Sequence, residues 1–214
     1  LIGKIVYGTA NGRDMRALWA SLCYVPRVAQ LISSKNSVKL KELAGMDILD
    51  DICELIDRTI DLDPPFSIRE AGFIRPGFDE QVDYLRGLLG NSTEALANIE
   101  AREKERTGKK LKVGYNKVFG YYIEVSNSNK DLVPDRYVRK QTLTGGERYI
   151  TQELKEMEAK VLGAKERLVS LEYELFQKIR EYIADNIARI RSTASALSKL
   201  DVFASLADVA KKNN

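Results

Sequence analysis

Apolar residues recur at alternating steps of four and three along two long stretches of the chain. In the first, Phe78, Val82, Leu85, Leu89, Ser92, Leu96 and Ile99 line up, and the row continues through the charged Glu103 and Arg106. In the second, Leu154, Met157, Val161, Ala164, Leu168, Leu171 and Leu175 do the same, then slip by one residue to Ile179, Tyr182 or Ile183, Ile187 and Ile190. Both rows are heptad seams and predict long helices over 79–107 and 153–191, ~43 Å and ~58 Å at the α-helical rise. The slip relaxes a supercoil without ending the helix. Gly87 and Gly90 permit a kink in the first helix, and Gly108 is a suitable stop. The tail of that helix (AREKERTGKK) has little apolar content and is expected to be solvated. Each helix carries an apolar stripe that needs a partner, so the two are expected to pack antiparallel.

The residues between the seams change period. Lys109–Thr151 is rich in aromatic and β-branched residues and broken by turn residues, which predicts strands. Val113–Tyr115 and Tyr121–Val125 make one hairpin around Asn116–Gly120. Tyr137–Thr142 and Arg148–Ile150 make a second around Leu143–Glu147, with Gly145–Gly146 as its turn signal. Ser126–Lys130 reads as a polar loop.

The remaining segments predict short helices. Leu1–Gly8 is a helical remnant, and Asn11 with Asp14 caps the helix carrying Met15, Leu18, Leu22 and Val25. Pro26 opens the next, through Val28, Leu31 and Ile32. Val38–Leu43 stops at Gly45, and Ile48, Ile52, Leu55, Ile56 and Ile60 follow with Asp47 as the expected cap. Paired prolines in 61–77 (DPPFSIREAGFIRPG) forbid helix and predict an extended loop, with a short β-pair around Ile68 and Ile74. After a break expected at Ser192–Thr193, Leu197, Leu200, Val202, Phe203, Leu206 and Val209 make an apolar last helix that should pack on the first helices or on sequence outside this chain. The fold class is therefore mainly α: a multi-helix core and two long antiparallel helices capped by a small antiparallel four-stranded sheet. The expected divisions are 1–76, 77–108, 109–151, 152–192 and 193–214.

Charge sharpens this picture. The 214 residues carry 34 Lys and Arg against 31 Asp and Glu, a net charge of +3. The strand segment alone holds nine basic and four acidic residues, so its +5 exceeds the whole chain's charge. A polyanion is its natural partner. There is no histidine, which removes His-based acid–base chemistry, Ser-His-Asp triads and the usual zinc sites. Gly8–Asp14, Gly87–Thr93 and Gly108–Lys110 are glycine-bearing, but none has phosphate-loop spacing. Asp47, Asp50, Asp51 and Glu54 cluster at helical surface spacing and read as a solvated face. Cys23 and Cys53 read as buried small apolar residues in a reducing compartment rather than a disulfide. No apolar run reaches the roughly 20 residues of a membrane span, and no signal peptide is visible. Both ends fall within apolar patterns, so a fragment of a larger protein is expected. The tyrosines at 115, 121, 122, 137 and 149 read mostly as sheet core, with base stacking the less favoured reading.

LKVGYNKVFGYYIEV followed by RKQTLTGGERYITQELKEME resembles the clamp segment of the MutS family of DNA mismatch-repair proteins. YGTANGRD, DPPFSIREAGFIRPGFDEQVDYLR, ERTG and ALSKLDVFASLADVA resemble that family's core and lever helices in the same order. The resemblance implies the central lever and clamp part of a protein that recognises mismatches, touching the duplex DNA backbone without sequence preference. It further implies coupling to an ATPase domain absent from this chain, so no catalytic residue, and no cofactor here, with ATP and Mg belonging to that domain. It also implies a homodimer, a MutL-type partner, and a bacterial cytoplasmic, nucleoid-associated setting. The DNA-facing loops of the family match Ser126–Lys130 and Thr144–Gly146. Relatives often carry Lys-Asn where this chain has Thr144-Gly145, which leaves backbone N–H contact at those two positions. Asn129 and Lys130 are the leading candidates, with Asn127, Thr144, Gly145 and Gly146, then Lys117, Arg139, Lys140 and Arg148. The competing class is a helical scaffold whose β end-piece binds protein.

Overall fold

The computed structural model describes residues 1–67, 69–107 and 111–213. They fall into two compact units, Leu1–Phe78 with Leu171–Asn214, and Asp79–Ser170. The fold is mainly α with one four-stranded antiparallel sheet.

The first unit holds α1 (Ile2–Val6), α2 (Gly12–Leu22), α3 (Val25–Ser33), α4 (Val38–Ala44) and α5 (Asp50–Thr59), the last turns of α7 (Gln152–Asp185), and α8 (Ile187–Asn213). Asn11 and Asp14 form a reciprocal capping box at α2, the Asn11 side chain accepting from Asp14 N at 2.9 Å and the Asp14 carboxylate from Asn11 N at 3.0 Å. Met15, Leu18, Ile52, Ile56, Phe73, Ile74, Phe176 and Ile183 are buried together in this unit. The loop rich in proline is held by a residue the seam did not flag. Glu172, fully buried on α7, accepts the N–H groups of Gly72, Phe73 and Ile74 at 2.8, 3.0 and 3.4 Å. Phe73 then meets Phe176 edge-on at 5.5 Å.

Several expectations are corrected here. Ile74 bridges Ile60, and Ile68 lies outside the described residues. Asp47 does not cap α5: Leu49 does, at φ 57°, while the Asp47 carboxylate accepts Leu49 N and binds Arg189. Leu31 and Ile48 are exposed. The break between the last two helices falls at Asn186, and α8 runs on through Ser192–Thr193 because Thr193 is buried with its hydroxyl donating to Asp47 O at 2.7 Å. The final apolar helix is uncovered in this chain, with Val202, Phe203, Leu206 and Val209 all exposed. Cys23 is exposed and Cys53 half-buried, with their Sγ atoms 3.4 Å apart.

The second unit holds α6 (Glu80–Thr107), the sheet, and the first turns of α7. Asp79 Oδ1 accepts from Gln81 N and Val82 N, both at 3.0 Å, and α6 continues past Gly87 and Gly90. The expected stop at Gly108 and the cations Lys109 and Lys110 lie outside the described residues. Strands β1 (Leu111–Asn116), β2 (Gly120–Ser126), β3 (Val138–Thr142) and β4 (Gly146–Ile150) order as β1-β2-β4-β3, all antiparallel. Both hairpins thus form where the turn residues place them. One sheet face packs Leu111, Ile123, Val125 and Tyr149 against Ile99 of α6 and Leu154 of α7. Each fully buried aliphatic chain in such a cluster contributes roughly 1.5–3 kcal/mol. Arg102 of α6 bonds Glu153 of α7 at 2.5 Å, so the last turns of one helix meet the first turns of the other. Thr151 Oγ1 caps α7, accepting Leu154 N at 3.2 Å.

The charged end of α6 is exposed as expected at Ala101, Arg102, Glu105 and Arg106, with one exception. Glu103 is 2% exposed, accepting two bonds from Arg136 (2.5 and 2.7 Å) and one from the Tyr137 hydroxyl (2.5 Å). Its place in the heptad seam turns it inward, where cations from the sheet segment compensate it.

Candidate nucleic-acid interface

The end of the sheet where β2 leaves and β4 enters is built around two polar segments. Ser126–Lys130 is not an open loop: Asn127–Leu132 winds into a short 3-10 helix. Its first residue ties it to the β3–β4 turn. Asn127 Nδ2 donates to Thr144 O at 2.9 Å and Asn127 N to Gly145 O at 3.1 Å. Leu143 N closes the turn on Gly146 O at 2.8 Å. Gly146 is buried, and a Cβ there would lie 2.3 Å from Val125 O, so only glycine lets β4 enter against β2 at this point. The two segments therefore form one surface, with Asn127, Ser128, Thr144 and Gly145 exposed and Asn129 and Lys130 half-buried.

The cations at this end converge on one acid. Lys130 Nζ lies 3.0 Å and Arg139 Nη1 3.4 Å from Glu147 Oε1, while the Tyr149 hydroxyl donates to Glu147 Oε2 at 2.5 Å. The Tyr149 bond and then the Lys130 bond hold the Glu147 carboxyl below the usual range. Burial, reinforced by the Glu147 bond and charge, pushes the Tyr149 phenol up to about 12. Glu147 stays ionised and Tyr149 protonated across the neutral range, so the cluster is a fixed array of charges.

Not all candidates share this place. Lys140 is exposed on β3, at the irregularity between Arg139 and Gln141. Arg148 pairs in register with Glu124, whereas Ile123 pairs with Tyr149, so Arg148 occupies the opposite face from the core. There it bonds Glu124 and Gln141, both at 2.9 Å, and stacks 4.4 Å over Tyr122. Lys117 sits in the β1–β2 turn, at the other end of β2, some ~20 Å away at the rise of a strand. Among the described residues neither Lys117 nor Lys140 has an ion pair. The structure thus brings together Asn127, Lys130, Thr144, Gly145, Gly146 and Arg139, with Asn129 on the same 3-10 helix and Lys140 next to Arg139.

Sequence reasoning missed Glu147 and the bridging role of Asn127. Glu147 was legible in principle: two residues before the core residue Tyr149, strand alternation turns it to the core face, where an acid requires cations. The tyrosines fall mainly on the core side, since Tyr137 and Tyr149 are buried with their rings tilted at 57° and 5.7 Å apart, and Tyr121 is half-buried.

Gly87–Thr93 is continuous helix, and Gly8–Asp14 is taken up by the α2 capping box; Gly108–Lys110 lies outside the described residues. Among the described residues no group of three or more His, Cys, Asp and Glu could hold a metal, and no helix is long and apolar enough to cross a membrane.

Residues 77–167, which hold the basic sheet with its paired polar segments, match the family model for MutS family domain IV. The similarity extends over the whole chain: it belongs to the MutS family. The chain is 51% identical over its full length to the DNA mismatch repair protein MutS of Lachnoclostridium phytofermentans, covering 23% of that protein. It is 49% identical to the MutS of Caldicellulosiruptor bescii over 100% of this chain and 25% of the relative. It is 47% identical to that of Ruminiclostridium cellulolyticum over 99% and 24%. The chain spans about a quarter of the length of these curated relatives.

Proposed function

We propose that this chain is the lever and clamp portion of a DNA mismatch-repair protein, and that its sheet contacts the duplex backbone without reading sequence. The joined surface of Asn127–Lys130 and Thr144–Gly145 carries the reading. It presents hydroxyls, amides and cations in one place, and such groups bind phosphate oxygens and fix position without sequence information. Lys130, Arg139 and Lys140 supply the charge, with Asn127 and Gly146 shaping the surface. Lys117 and Arg148 serve as outlying cations. The affinity of one such clamp is expected near the ~10⁻⁴–10⁻⁶ M of non-specific association and falls steeply with salt. Reversing both Lys130 and Lys140 to Glu should lower the affinity of the full-length protein for a random duplex and flatten its salt dependence. Unchanged affinity and slope would remove the clamp assignment.

By the same reading, ATP hydrolysis belongs to a domain outside this chain, and α6 and α7 are levers that pass its state to the clamp. On this reading the full-length protein is a homodimer in the bacterial cytoplasm, on the nucleoid, with a MutL-type partner. Leu168→Pro breaks α7, and ATP-dependent release from DNA that survives it would count against the levers. A second reading, a helical scaffold whose β end-piece binds protein, is favoured by the exposed Tyr115, Val118 and Val138 of the sheet segment. A gel shift with a random duplex at low salt discriminates, since the scaffold predicts none.

A further inference from the structure

Cys23 follows α2 and Cys53 lies on α5, two helices that pack on one another and are also tied by Arg16 and Asp57 at 3.1 Å. Their Sγ atoms are 3.4 Å apart, one exposed and one half-buried. A disulfide bond needs about 2.05 Å, so the sulfurs must close by about 1.4 Å. They open on a groove of about 470 Å³ that Trp19, Glu54, Asp57 and Arg58 also line. The groove gives a small molecule access to both sulfurs, and its acids disfavour an anionic one.

We propose that Cys23 and Cys53 are an oxidisable dithiol, a modification site for low-molecular-weight uncharged disulfides that staples α2 to α5. The Cys23 thiolate attacks one sulfur of the small disulfide, forming a mixed disulfide and expelling one thiolate, which takes up the proton released by Cys23. The Cys53 thiolate then attacks Cys23 Sγ, the mixed disulfide breaks, and the second small thiol leaves with the Cys53 proton. Two protein thiols are oxidised to one disulfide, and one small disulfide is reduced to two thiols. The order follows from exposure, since Cys23 is the open sulfur. Burial, then the bond to Cys23 and its charge, push the Cys53 thiol up to about 12. Capping Cys23 removes its bond and charge from Cys53, while burial still holds that thiol up, so the second exchange is the slower step. Among the described residues no third ligand completes a metal site with the pair.

The test treats the folded protein, without denaturant, with bis(2-hydroxyethyl) disulfide, then alkylates, digests and maps the peptides by mass spectrometry. The expected product is a Cys23–Cys53 cross-link that resists alkylation and disappears on reduction. Cys53→Ser should instead accumulate one mercaptoethanol adduct on Cys23, and Cys23→Ser should react far more slowly. A stable Cys23 adduct in the unmutated protein with Cys53 still alkylated, a chain-to-chain disulfide through Cys23, or no reaction at either residue would each overturn the proposal.

Discussion

Glu147 sets the electrostatics of the candidate interface more than any single cation does. It engages Lys130 and Arg139 within 3.4 Å, so a phosphate must compete with a carboxylate already in place. Glu147→Gln keeps an acceptor for the Tyr149 hydroxyl and removes the competing charge. It is expected to raise affinity for random duplex DNA roughly three- to tenfold at low salt and to steepen the salt slope by about one phosphate contact. Fluorescence anisotropy across a salt series measures both, and a fall in affinity would show that Glu147 positions the cations rather than screening them. Gly146 is the complementary case, where shape alone decides. With Val125 O 2.3 Å from the position of a Cβ, Gly146→Ala should cost about 1–3 kcal/mol and loosen the Asn127–Thr144 tie. Denaturant unfolding and the same binding assay read the two effects separately. Of these residues, only the glycine was visible in the sequence, as a turn signal. The reason it must be glycine is a contact across strands, and no local pattern encodes that.

Among the elements, α7 shows how a heptad seam and a tertiary need coexist. Its predicted apolar positions Leu154, Ala164 and Leu168 are buried, yet so are Glu172 and Phe176, which the seam did not include. Glu172 holds the loop containing Gly72, Phe73 and Ile74 through their N–H groups. The bridge to Ile60 engages Phe73 O and Arg75 N of this loop, and the buried carboxylate supplies an acceptor for the N–H groups of Gly72, Phe73 and Ile74. Glu172→Leu is expected to destabilise by on the order of 3 kcal/mol or more, because buried donors lose their partner. Glu172→Gln retains an acceptor and should lose much less. Equilibrium urea unfolding orders the two, and equal losses would assign the effect to charge instead. The period predicted the helix and its buried side correctly. It could not identify Glu172, because an acid on a helix is solvated unless another segment arrives with donors.

For the molecule as a whole, acid is the condition that matters. The chain has no histidine, so its stability should be flat between about pH 6 and 8. Its paired carboxylates behave otherwise. Bonds from Arg189, outweighing some desolvation, bring Asp51 from the usual 3.8 down to about 2, and the same residue lowers Asp47. Groups with depressed folded values stabilise fully above their unfolded values, and that contribution is lost as pH falls through the folded ones. Stability should therefore drop between about pH 4 and pH 2. In Arg189→Met the deficit relative to the unmutated chain should be largest at neutral pH, shrink as pH falls through about 2 and vanish only below it. Urea midpoints over a pH series test this, and a deficit that stayed constant from neutral pH down to about pH 2 would assign Arg189 a packing role.

The sequence by itself determined the helix and strand inventory, the two hairpins, the concentration of positive charge in the sheet segment and the family. These follow from periodicity, turn chemistry and composition, which act over a few residues or are summed along the chain. The tertiary structure alone decided that Glu172 is buried, which groups compensate Glu103 and Glu147, that Arg148 and Lys117 lie apart from the paired polar segments, and that Cys23 meets Cys53. Each of those outcomes is a pairing between groups distant in sequence or across a sheet, where burial of a charge is permitted only by partners that folding delivers.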